Sequence, residues 1–534
     1  MKLSKPSPLS LFLVAMSASG GALAAPCNPG TYSSSGQSTA SGGCIPAPPG
    51  SFVNTAGATA ATLASPGTYQ PNAGATSAIL AAPGSYVPTA GATVAILAPA
   101  GSFVSNSGST AATLAPVGFF VANPGATTAT PAPPGSFVSN SGSTAATLAP
   151  VGFFVATSAA SAATPAPVGS YVSSAGSTSA TFAPIGSYVA SIGQASATQA
   201  APGFYTYAPG ASNQVPAGLI AGPLNSTIRA NEAITRDVSS MIDDKSDSTI
   251  KTSFYFQGGS VDQVGQSSGA KQNISFWGLN LLGNLFGTKD EPAGVLVNVS
   301  STSYSAGSDG SGNGLGLSLG LFKKLQVETA KFVGSLLVGN YNYNSTRQSL
   351  TQGMALGSSA DIQNATGNTN VNTYGVNILG SIPLTKALPN LDGFLNLAVT
   401  NYAYKGMNES VSGQGSNPSA GLNVSSMNYV SIPATLGFKY TLLDPSSKES
   451  RGSISVGYKY DFGNSSTLNM SSQSSPSYQF GLPIALTNAR ATVIEVSSAN
   501  YELRKNLSLS AAISTEFSSA YSFYQGNLRL RKSF

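Results

Sequence analysis

Histidine is missing from all 534 residues, which removes Ser-His-Asp and Cys-His catalysis and every metal site built on imidazole. Charge is missing from a long stretch: between Lys5 and Arg229 there is no Asp, Glu, Lys or Arg. A two-carboxylate hydrolase site cannot lie there, and the change in composition at Arg229 reads as a domain boundary. Cysteine occurs only at Cys27 and Cys44, too few thiols for a zinc site. No apolar run is long enough for a membrane-spanning helix. No catalytic, cofactor or metal residues are therefore assigned, and no enzymatic activity is expected.

Residues 1–25 read as a secretory signal: Lys2 and Lys5 supply positive charge, Leu9 to Met16 an apolar core, and Ala22-Leu23-Ala24 a small-x-small cleavage site before Ala25. In an oxidising compartment Cys27 and Cys44 are expected to pair, closing a loop of roughly 17 residues that contributes about 3 kcal/mol. Without Lys2 and Lys5 the chain has 22 basic and 19 acidic side chains, a net of +3. That is too small a surplus to indicate a nucleic-acid partner.

The C-terminal part, 249–534, alternates with a period of two. Leu315, Leu317, Leu319 and Leu321 are separated by Gly316, Ser318 and Gly320. Val430, Ile432, Ala434, Leu436, Phe438 and Tyr440 alternate in the same way, as do Ile454, Val456, Tyr458, Tyr460 and Phe462, and Leu507, Leu509, Ala511 and Ile513. One face of each strand is apolar and the other polar. Twelve strands of about ten residues begin near 249, 272, 293, 314, 330, 368, 391, 426, 452, 491, 506 and 521. Odd-numbered links are long and rich in Ser, Gly and Asn, apart from the short eleventh; even-numbered links are short. That asymmetry is the pattern of a transmembrane barrel with both ends on the short-turn side. Pro433 fits within a strand only at a bulge or weak edge. Phe534, with Tyr524, Leu528 and Leu530 at the same parity, resembles the C-terminal strand of bacterial outer-membrane proteins, whose terminal Phe is read by the barrel-assembly machinery. Gly526 and Lys532 depart from that signature.

Residues 26–220 are a tandem repeat. A glycine recurs every 17 residues from Gly50 through Gly67, Gly84 and Gly101 to Gly203, with an aromatic two positions after each. A second glycine follows at the seventh position, with Ala159 the exception, and the segments Ser102 to Pro116 and Ser136 to Pro150 are identical. Each unit offers two short extended pieces about a glycine turn. Stacked units would pile aromatic on aromatic and Leu on Leu into a thin β-solenoid or a string of small β-modules. An extended Ala/Ser/Gly/Pro stalk is the other reading. The first unit, Cys27-Asn-Pro-Gly-Thr-Tyr with Cys44, weakly resembles ephrin-receptor-like cysteine-rich repeats, although later units lack the cysteines.

Residues 221–248 hold the one helix pattern. Ser226 or Thr227 can cap it, Ile234, Val238, Met241 and Ile242 recur at helical spacing, and Glu232 with Arg236 is placed for an i,i+4 pair. A secreted repeat region, one helix and a terminal barrel together resemble the autotransporters of the type V secretion class. The resemblance implies a helix inside the pore, a passenger at the surface of the bacterial cell, and outer-membrane lipid and the assembly machinery as partners. No asparagine-pair cleavage segment is present, so the passenger is expected to stay attached. The histidine-dependent outer-membrane enzymes are excluded. Display of the repeats for adhesion or self-association, with host or neighbouring-cell surface molecules as partners, is the functional expectation. A porin or transporter with a periplasmic spacer or plug is the alternative.

Overall fold

The computed structural model describes residues 24–37, 43–243, 250–264, 271–288, 290–347, 363–385, 388, 390–413, 421–443, 450–463, 465–473, 475–486, 490–504 and 507–532. The signal segment up to 23 and Phe534 lie outside them. The chain divides into two compact units, Met1–Thr164 with Ser174–Ser179, and Pro165–Ser173 with Ala180–Phe534.

In the first unit each repeat is a minimal hairpin. Ser51–Phe52 pairs with Thr62–Leu63, and Ser102–Phe103 with Thr113–Leu114. Backbone bonds run from each hairpin to the next, as from Gly101 N to Val121 O at 2.8 Å, and to the one after that, as from Gly142 N to Ala115 O at 2.8 Å. The structural contact therefore spans two units, which matches the two-unit spacing of the identical segments. Cys27 and Cys44 are joined by a disulfide.

The core of this unit differs from the expected aromatic and leucine piles. The residues fully buried are the small ones that follow them, Ala64, Ala81, Ala98 and Ala115 at 0%, and Val53, Val87, Val104 and Val121 at 3% or less. The aromatics are half-buried. Leu63, Leu80, Leu114 and Leu148 are 59–61% exposed. Backbones approach too closely for large side chains: a Cβ on Gly101 would lie 2.2 Å from Gly142 O. Ala and Val fill the space between coils so spaced, with Gln70 in the Val place of one unit. Gly101 also has φ +83°, so Gly101→Val is expected to carry about 1–3 kcal/mol of backbone strain in addition to that clash. Hydrogen exchange should show opening of the neighbouring hairpins, with distant coils unchanged. Ala159 tolerates φ +58° in the second-glycine place. The leucine that crowds that place in other units, as Leu114 crowds Gly142, is Pro131 at the equivalent position before Ala159.

The second unit contains a closed antiparallel barrel. Its strands are β1 Ile250–Val261, β2 Gln272–Gly287, β3 Pro292–Ser305, β4 Gly310–Val327, β5 Ala330–Arg347, β6 Gln363–Pro383, β7 Leu391–Tyr404, β8 Met427–Ser431 continued by Pro433–Leu443, β9 Ser450–Asp461, β10 Arg490–Ser498, β11 Leu507–Phe517 and β12 Tyr521–Lys532. Closure is made by β1 pairing with β12, Ile250 opposite Lys532 and Val261 opposite Tyr521. Several strands outrun the expected ten residues, β4 and β5 having 18 and β6 having 21. Pro433 sits just after a break, where Asp461 Oδ1 accepts Ile432 N at 2.7 Å and Gly463 N at 2.8 Å. The missing proline donor thus falls outside the ladder.

The alternation resolves in one sense only. Leu315, Leu317, Leu319 and Leu321 point outward, 50–61% exposed, while their neighbour Ser318 and the cross-strand Asn298 are fully buried inside. A belt of this size in water would be an aggregation surface; in hydrocarbon each leucine gains roughly 1.5–3 kcal/mol. Trp277, Tyr374 and Tyr524, about half exposed, edge the belt toward the long-link rim, as interfacial aromatics do. Leu319→Arg is expected to destabilise the inserted barrel by about 2–4 kcal/mol, read as a lowered urea midpoint after refolding into vesicles. Among the described residues no helix is long and apolar enough to cross a membrane; the crossings are made by strands.

Candidate functional site

Helix α1, Gly222–Asp243, lies inside the barrel. It starts four residues before the expected Ser226 cap, following a short 3-10 turn at Gly218–Ala221. Pro223 suits the first turn because its missing donor has no partner to lose there. Ser226 and Thr227 are consequently helical, and Thr227 Oγ1 donates back to Pro223 O at 2.8 Å.

Direction is fixed at both ends. Near the start, Asn225 Nδ2 donates to Gln263 Oε1 at 3.0 Å and Gln272 Oε1 at 2.8 Å, beside the long β1–β2 link. Near the end, Lys251 Nζ donates to Met241 O at 2.9 Å, placing a cation at the negative pole of the helix. The chain therefore enters at the long-link rim and leaves at the short-turn rim, where β1 begins.

Two faces of the helix meet two sides of the lumen. Ile234, Val238, Met241 and Ile242 are buried at 2% or less in one apolar cluster with Tyr255, Leu282, Leu296 and Tyr341. The other face is ionic. Glu516 on β11 accepts from Arg229 Nη1 at 3.1 Å, Arg229 Nη2 at 3.0 Å, Arg236 Nη2 at 2.9 Å and Tyr521 OH at 2.6 Å. Lys459 on β9 lies 2.5 Å from Glu516 and donates to Glu232 Oε1 at 2.9 Å. Asp237 accepts from Arg529 Nε on β12 at 2.9 Å and Asn280 Nδ2 on β2 at 2.8 Å. The Arg229 guanidinium stacks 4.0 Å over Phe523. Glu232 and Arg236 thus turn to different partners instead of each other. A residual cavity of about 140 Å³ lies beside the helix, lined in part by Glu232, Arg236, Lys439 and Glu495.

Above the lumen, the long links carry their own four-stranded sheet of Met407–Asn408, Leu422–Val424, Thr467–Ser472 and Ser475–Pro483. It seats the last repeat hairpin, Phe204–Tyr205 paired with Val215–Pro216. Tyr205 stacks on Phe480 with centroids 5.3 Å apart. Arg347, at the top of β5, is fully buried: Nε donates to Glu409 Oε1 at 2.7 Å, Nη2 to Glu409 Oε2 at 2.5 Å and to Tyr205 OH at 3.0 Å, and Nη1 to Pro216 O at 3.0 Å. Burial pushes the Tyr205 phenol up to about 12, so it stays neutral and accepts the arginine bond.

Of the residues singled out in the sequence, the four helix positions come together in the lumen. Tyr524, Leu528 and Leu530 share the outer face of β12, and Ala24 and Ala25 are exposed. Sequence reasoning missed the Glu516 hub and the Arg347–Glu409 pair. The available signal was a charge at inward parity within an otherwise alternating strand, as at Lys251, Lys459, Glu516, Arg529 and Arg531.

Residues 254–514 match the family model "Autotransporter beta-domain". No curated protein sequence matches the chain. Among solved structures, the translocator domain of autotransporter NalP from Neisseria meningitidis is similar at 14% identity and TM-score 0.45, covering 58% of this chain and 97% of that one. The transport unit of autotransporter AIDA-I from Escherichia coli is similar at 11% identity and TM-score 0.34, covering 54% and 91%. The Pseudomonas putida toluene transporter TodX is similar at 12% identity and TM-score 0.35, covering 54% and 90%. The family match over the barrel makes this domain an autotransporter beta-domain. The barrel is an outer-membrane domain.

Proposed function

We propose that the barrel anchors the repeat array at the cell surface for adhesion or self-association. The observation that carries this reading is the exposed aliphatic ladder on an uncharged array: Leu63, Leu80, Leu97, Leu114 and Leu148, each 59–61% exposed at multiples of 17 residues. Identical weak sites at fixed spacing gain through multivalency. The absence of charge also lets the array pass a narrow lumen without desolvating ions. The ionic helix holds the base of the array, and the array stays attached.

The partners in this reading are outer-membrane lipid, the barrel-assembly machinery, and surface molecules of a host or neighbouring cell, without nucleic acid. It assigns no catalysis, a view supported by the lack of histidine. A porin or transporter function is disfavoured by the helix that fills the lumen. Cells expressing the full chain are expected to clump or to adhere to host cells, and a variant lacking 26–216 with its barrel still assembled should do neither. Equal clumping and adhesion by the two would overturn the reading.

A further inference from the structure

We infer that the outer face of β1, β2, β3 and β12 carries a binding groove for the neutral sugar headgroup of an outer-leaflet glycolipid. Register aligns Tyr524, Gly258, Ser275 and Ser303 in one row across these strands. At Gly258 the row is hollow, since a Cβ there would meet nothing within 4 Å. The depression has a volume of about 670 Å³ and adjoins a second of about 500 Å³, both within the range that holds a small ligand.

The walls and floor have the chemistry of a sugar site. Trp277 and Tyr524, 52% and 57% exposed, both line the smaller depression, and aromatic rings pack on the C–H side of a pyranose. Beside Trp277 the Ser275 and Ser303 hydroxyls, 2.7 Å apart, both face outward and can donate to and accept from sugar hydroxyls. The Phe256 ring covers Gly526 one row below and closes that end. No Asp, Glu, Lys or Arg lines either depression, so a phosphate or carboxylate finds no counter-ion there.

The occupant follows from what the groove joins. One row farther down, Leu528, Phe254, Leu279 and Val299 form the lipid-facing belt. One row up, Ser522, Ser260, Asn273 and Ser305 are polar. The groove thus lies at the headgroup level of the long-link rim, the outer-leaflet side. A molecule with an acyl chain on the belt presents its headgroup here, and the hydroxyl-lined, uncharged floor selects one made of neutral sugar.

Trp277 is the sole tryptophan of the chain, so its emission reports on the groove directly. The full-length protein, refolded in sugar-free phosphocholine micelles, would be titrated with digalactosyl diacylglycerol and separately with phosphatidylglycerol of matched chains. A saturable shift of Trp277 emission is expected with the neutral glycolipid alone. The Ser275→Ala, Ser303→Ala double variant should weaken it about tenfold, and Gly258→Leu should abolish it. Tyr524→Ala, expected to weaken binding similarly, replaces Gly258→Leu should the latter fail to fold, as judged by heat-modifiable mobility. Equal responses to both lipids, a response without saturation, or folded variants that titrate like the parent would overturn the assignment.

Discussion

Replacing Glu516 by Ala is expected to destabilise the helix-filled barrel by about 3–5 kcal/mol, the cost of leaving buried charges uncompensated. Three cations converge on this carboxylate: Arg229, Arg236 and Lys459 at 3.0, 2.9 and 2.5 Å. Its side chain is 1% exposed, as is that of Arg229, so water offers little replacement. For a domain of this size the loss corresponds to a fall in melting temperature on the order of 10 °C, read by the heat-modifiable mobility of the refolded protein. Glu232 neutralises only part of the deficit, because it already engages Arg229 and Lys459. Glu516→Gln keeps two acceptor or donor atoms in place and should fall between the parent and the alanine variant. A melting temperature unchanged in Glu516→Ala would mean that the helix is not held by this hub.

The second large effect is local. Arg347→Ala leaves the Glu409 carboxylate buried at 1% side-chain exposure, with the backbone N–H of Leu422 donating to it at 2.9 Å. A loss of about 3–5 kcal/mol is expected again, confined to the rim sheet and the last hairpin. The barrel melting temperature should hold, because Arg347 is at the end of β5 and touches no helix side chain of the ionic hub. Limited proteolysis of the segment 204–217 should accelerate by two to three orders of magnitude, since each 1.4 kcal/mol is a factor of ten in the open population. Tyr205→Phe removes one hydrogen bond to a charged group, worth roughly 1.5–3 kcal/mol at most, and should accelerate cleavage far less.

The barrel was legible because alternation is local. The Leu315–Leu321 row and the Ile454–Tyr458 row declare strand, length and parity within a few residues, and the lengths of the links declare the two rims. Which face met lipid followed from those link lengths, since the rows alone would equally suit a soluble sandwich with the apolar face inward. The repeat was legible in its period but not in its core. In a two-residue strand, parity separates Phe103 from Val104 without saying which of them turns inward. The stacking of coils decides that, with Val104 buried and Phe103 half-buried. The helix was legible from Ile234, Val238, Met241 and Ile242, while its start was misplaced because Pro223 is as good an opening as Ser226. The hub was not legible as a hub: Arg229 and Glu516 are 287 residues apart, and no local rule pairs them.

Exposure of the repeats on intact cells tests the central claim most directly. The repeats hold neither Lys nor Arg, so a protease of broad specificity is required in place of trypsin. Proteinase K added to whole cells is expected to remove the array and leave a membrane-embedded fragment, containing α1 and β1 through β12, that still shows heat-modifiable mobility. Repeats that survive until the outer membrane is permeabilised, or a C-terminal fragment recovered in the soluble fraction, would contradict the account.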